Sequence, residues 1–114
     1  MTIAERVASR FKEAALQPAV YVPSQTGVGF SVFVPNPKEA DDLTRFLSRS
    51  RLGRARTRVQ KSFQLDAVEL HWMPAGTMPP LKDFQHTVEQ WARRRGYRLA
   101  RDMRELRHGL DALR

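Results

Sequence analysis

Arg54, Arg56 and Arg58 recur at every second position, the spacing that places side chains on one side of an extended chain. On a strand rising roughly 3.3 Å per residue their stems stand about 6.6 Å apart, a row able to grip a polyanion. The row lies within residues 45–61, a stretch with seven basic residues and no acidic one. Arginine presents a planar fork of donors that matches phosphate or carboxylate oxygens two at a time. The expected contact residues are Arg49, Arg51, Arg54, Arg56, Arg58 and Lys61. A second basic cluster adds Arg94, Arg98 and Arg101, which would share one face of a continuous helix and could track a backbone.

Acid–base chemistry has fewer candidates. Glu69 and His71 fall on one strand face beside the arginine row, the pair a small basic ribonuclease would use. Asp83, His86 and Glu89 are spaced to meet along a helix, but a solvated polar face is a better account of them than a metal or acid–base site. No Gly-rich phosphate loop, nucleophile elbow or kinase signature is present, and the three histidines lack metal-ligand spacing. Neither a cofactor nor a metal is expected.

The formal charge of +8, carried by sixteen Arg and four Lys against twelve acids, narrows the partner classes. Nucleic acid, an acidic protein surface and an anionic membrane surface suit it, the membrane least because no helix combines a basic face with a strong aromatic one. The absence of cysteine removes disulfides, thiolate nucleophiles and thiolate metal sites. No apolar run is long enough to span a bilayer, and the first residues do not read as a signal peptide. A soluble cytoplasmic protein is expected, with residues 1–114 forming one domain.

The elements that must position these side chains follow from local patterns. Thr2 and Glu5 make a capping box, with Ile3, Val7 and Phe11 at helical spacing behind it. Residues 19–23 and 28–34 read as a hairpin around Gly27, with Val28, Phe30, Val32 and Val34 on one face and Tyr21 near Phe33 as a possible base-stacking pair. Residues 27–33 resemble the aromatic strand motif of RNA-recognition-motif domains over that one strand. They lack its leading basic residue and carry Val28 at the first aromatic position, so no membership is assigned.

Asn36, Pro37 and Glu39 open a second helix with the stripe Ala40, Leu43, Phe46 and Leu47, and Gly53 stops it. Strands are expected over 54–61 and 65–73, with Glu69 and Asp66 within reach of the arginines. A third helix over 81–95 ends at Gly96, followed by a short strand over 97–101 and a helix capped by Asp102. Residues 81–113 also fit one long helix broken at Gly96.

The predicted fold is α+β, an antiparallel sheet with helices on one face. Residues 28–101 run in ferredoxin-like order, with an extra N-terminal helix and strand and a C-terminal helix. The predicted function is non-catalytic nucleic-acid binding through the arginine-rich segment. Docking of that segment on an acidic partner protein is the alternative, and a small ribonuclease is a third reading.

Overall fold

The computed structural model describes residues 16–114, so the helix expected around Thr2 and Glu5 lies outside the described residues. Two of the described helices start at a side-chain cap that the sequence supplies. The Asn36 side chain accepts from the Glu39 amide (3.0 Å) and Pro37 fills the first turn of α1, Pro37–Ser48. Asp102 does the same for the Glu105 amide (2.8 Å) at the start of α3, Met103–Ala112. Helix α2, Leu81–Arg94, follows a proline pair and ends at Gly96, whose φ of +86° is a conformation few side chains tolerate. Gly53, at φ +90°, turns the chain out of α1 in the same way.

Five strands accompany the helices: β1, Gln17–Val20; β2, Phe30–Val34; β3, Ala55–Lys61; β4, Val68–Pro74; and β5, Tyr97–Leu99. Strands β2, β4 and β3 form an antiparallel sheet in that order, with β4 central and β3 at the edge. Strand β5 pairs in parallel with β1, and one bridge, Tyr21 to Phe33, links this pair to β2. The strand–helix–strand–strand–helix–strand order over 28–101 is therefore present, but it does not give a ferredoxin-like four-stranded sheet. The last strand takes β1 as its partner instead of joining the antiparallel set.

Alternation in the strands divides the interior into two layers. Phe30, Val32 and Val34 of β2 face Trp72, Leu70 and Val68 of β4, and this face packs on Leu43 and Leu47 of α1 and Phe84, Val88 and Trp91 of α2. Phe84 stacks on Phe30 at 4.3 Å between ring centroids, and each such buried side chain contributes about 1.5–3 kcal/mol. The expectation of helices on one face holds for α1 and α2. Helix α3 packs against the other face at the β1–β5 end, where Leu106 and Leu110 meet Ala19, Leu65, Ala67 and Ala100. Tyr21 and Phe33, 6.3 Å apart and nearly parallel, sit at the margin of this second layer.

Val28 does not join the strand face expected for it. The Thr26 hydroxyl accepts from the Gly29 amide and donates to the Gly29 carbonyl, both at 3.0 Å, closing a turn that leaves Val28 exposed. The expected 19–23/28–34 hairpin is thus reduced to isolated bridges.

Gly109 lets α3 approach β1. A Cβ there would lie 2.6 Å from the Pro18 carbonyl oxygen. Alanine normally favours a helix by about 1 kcal/mol over glycine. Gly109→Ala should nevertheless destabilise the protein by about 1–3 kcal/mol through overpacking, read as a lower urea midpoint.

Candidate functional site

The basic segment divides between two faces of the molecule. In β3, Arg56 and Arg58 lie opposite Met73 and His71 of β4, and Thr57 and Val59 lie opposite Trp72 and Leu70. The arginines therefore stand on the side of the sheet away from α1 and α2. Because β3 is an edge strand with a single neighbour, every residue from Arg56 to Val59 is exposed. Arg54 immediately precedes the strand and is exposed, and its carbonyl accepts from the Ala75 amide at 2.9 Å.

Arg49 and Arg51 belong elsewhere. Arg49 caps α1, and with Arg45, Arg51 and Arg94 it lines a groove of about 710 Å³ where α1 runs beside α2. Helix α2 contributes His86, Thr87 and Gln90 to this groove, and α1 contributes Phe46. The Arg94 guanidinium lies over the Phe46 ring, 5.6 Å from its centroid, a cation–π contact. Among the described residues the one carboxylate at the groove is Asp42, which accepts from the Trp91 indole N–H at 2.8 Å and lies 3.7 Å from Arg45 and 4.0 Å from Arg95. The indole hydrogen bond holds the Asp42 carboxyl below the usual carboxylate range, burial opposes this, and Arg95 and Arg45 reinforce it.

Arg98 and Arg101 do not share a face with Arg94, because the helix ends at Gly96 and the chain enters β5. Both bind Glu105 of α3, Arg98 at 2.6 Å and Arg101 at 3.1 Å. The expected ion pairs between β4 carboxylates and the arginine row do not form either. Glu69 contacts His71 Nε2 and accepts from Gln60 (3.4 Å), and Asp66 pairs with Arg114 (3.0 Å). Among the described residues, no ion pair engages Arg49, Arg51, Arg54, Arg56, Arg58 or Lys61.

His71 joins Glu69 on one side to the Ser31 hydroxyl on the other, with Ser31 Oγ 3.2 Å from Nδ1. A serine, a histidine and a carboxylate in series can polarise a hydroxyl. Here the serine is only 8% exposed in the middle of β2, opposite His71 in the strand register. The series is a cross-strand polar ladder that fixes the register of β2 on β4. Sequence spacing alone places Glu69 beside His71, whereas Ser31, forty residues away in sequence, joins them only through the β2–β4 pairing.

His86 meets Gln90 at 3.3 Å. Among the described residues no group of three or more His, Asp or Glu side chains is disposed to hold a metal ion, and no helix is long and apolar enough to cross a membrane. Phe46, Thr87 and Gln90, which line the groove, were not legible as site residues. Their only sequence signal is a position on helical faces that converge through tertiary packing. No family model, curated protein or solved structure matches the chain.

Burial pushes the Glu105 carboxyl up, but hydrogen bonds from the Arg98 and Arg101 side chains and the Arg101 amide more than offset it, leaving a net downward shift from the ordinary 4.5. A carboxyl lowered by folding stabilises the protein above its unfolded value, and that stabilisation disappears as pH falls through the folded value. Glu105→Gln should therefore melt at a lower temperature than wild type at neutral pH, with the difference closing as pH drops below 4.5. Thermal scans across that range check it.

Proposed function

We propose that this protein binds nucleic acid without catalysis, holding phosphates through Arg49, Arg51, Arg54, Arg56, Arg58 and Lys61. The observation that carries this reading is the segregation of charge. The carboxylates of Glu39, Glu89 and Glu105 are taken up by Arg95, Arg93, Arg98 and Arg101, while the cations from Arg49 to Lys61 have no acidic partner among the described residues. An unpaired guanidinium on an exposed strand or helix end needs no rearrangement before it meets a phosphate. Contacts of this kind give affinity without a choice of base sequence.

Filter binding to mixed-sequence DNA and RNA at low salt should show association that falls steeply as salt rises. Arg56→Glu combined with Arg58→Glu should weaken binding at least about tenfold and reduce the slope of log affinity against log salt by about 2, one unit for each lost phosphate contact. Because both side chains are exposed on an edge strand, the double variant should melt within a few degrees of wild type, about the range of ordinary surface substitutions. Absence of any association at low salt overturns the reading.

A second reading is docking on an acidic protein surface. It is favoured by Phe63, fully exposed just beyond β3. An exposed aromatic side chain at the end of a basic strand suits a protein interface better than a phosphate backbone. A pull-down from nuclease-treated lysate separates the two readings: a stoichiometric partner that survives the treatment supports the second, and loss of all partners supports the first.

A further inference from the structure

The groove between α1 and α2 differs in kind from the β3 row. The row lies along an exposed edge strand, whereas the groove is a concavity combining cations, an aromatic ring and hydrogen-bonding side chains. We infer that this groove receives single-stranded nucleic acid, with phosphates against Arg45, Arg49 and Arg51 at its rim and a base against Gln90 and the Arg94 guanidinium that Phe46 backs. The inference rests on the phosphate-binding reading above and adds which form of nucleic acid is preferred.

The first argument is width. Helices packed side by side lie about 8–10 Å apart. A groove on that scale is narrower than the roughly 12 Å major groove of a DNA duplex, let alone the duplex itself. A double helix could touch the rim arginines but could not reach the residues between the helices, whereas a single strand can.

The second argument is composition. Bases splayed from a single strand bind by stacking on aromatic rings or guanidinium planes and by hydrogen bonds along their edges. Phe46 packs against the core and carries the Arg94 guanidinium over its ring, so the stacking surface offered to a base is the guanidinium backed by the ring. Gln90 is exposed and bonded only to His86 at 3.3 Å, so its amide can turn to a base edge. Asp42 disfavours phosphate near itself, but its charge is offset by Arg45 at 3.7 Å and Arg95 at 4.0 Å. A purely electrostatic site for a plain polyanion would have no use for the ring or the amide.

The test uses the full chain and a fluorescently labelled mixed-sequence oligonucleotide, single-stranded or annealed to its complement, with anisotropy as readout. Inorganic polyphosphate, a polyanion without bases, serves as competitor. The single strand should bind about tenfold tighter than the duplex, because only it gains base stacking. Gln90→Glu keeps the side-chain shape while adding a negative charge to the groove. It should weaken single-strand binding about fivefold or more and leave duplex binding within about twofold, and Gln90→Lys should tighten the single strand. Per phosphate, polyphosphate should compete poorly. Equal affinity for the two forms, a silent Gln90→Glu, or polyphosphate competing as well as the oligonucleotide overturns the inference. If duplex and single strand bind equally and only the Arg56/Arg58 reversal matters, the groove inference falls and the phosphate-binding reading stands. If neither form binds, both fall. Circular dichroism melts of the Gln90 variants, expected to match wild type, exclude unfolding as the cause.

Discussion

The arrangement of the helical layer depends on one buried carboxylate. Glu39, 5% exposed, receives two hydrogen bonds from Arg95, at 2.6 and 2.9 Å. The pair joins the first turn of α1 to the residue that caps α2, so the two helices run antiparallel with the start of one against the end of the other. Trp91 repeats the link one turn further on through Asp42. Bidentate Arg–carboxylate geometry fixes orientation as well as distance, and losing one partner of such a pair leaves a carboxylate with little access to water. The Glu39 hydrogen bonds and charge raise the Arg95 pKa further still, so its positive charge is permanent. Burial and the nearby Glu39 also push the Tyr97 hydroxyl up, and Arg95 partly opposes this. With the helices fixed in this way, Phe46 comes opposite Arg94 and the groove acquires its walls.

The local features were legible in the sequence because they depend on neighbours in the chain. The Asn36 and Asp102 caps, the glycine stops at 53 and 96, and the apolar stripes of α1 and α2 all follow from spacing within a few residues. What was not legible depends on residues far apart. Nothing near Tyr97 marks β1 as its partner, eighty positions earlier at Gln17. Glu39, which sequence spacing assigns to the helix cap, is drawn instead to Arg95, because tertiary packing brings a guanidinium to it.

The arginine segment is legible as a composition and misleading as a geometry. Its alternation does set Arg56 and Arg58 on one face of β3 with Arg54 just before the strand, but Arg49 and Arg51 precede the Gly53 turn and face the helical side. Arg98 and Arg101, which look equivalent to Arg94 in the sequence, are committed to Glu105. Counting charges could not reveal which cations are already neutralised; that required the positions of the carboxylates.

The edge position of β3 gives salt two opposite effects. Guanidinium stems roughly 6.6 Å apart on one strand face repel each other, by about 0.6 kcal/mol per neighbouring pair in a water-like dielectric. No carboxylate among the described residues pairs with them to offset this. Dissolved ions screen that repulsion and so steady the free strand, and the same ions screen any attraction between the row and an anionic partner. The bare sheet edge is thus most strained in dilute buffer, where its pull on an anion is strongest. An anion settling on the row would relieve a tension the fold carries when the edge is empty.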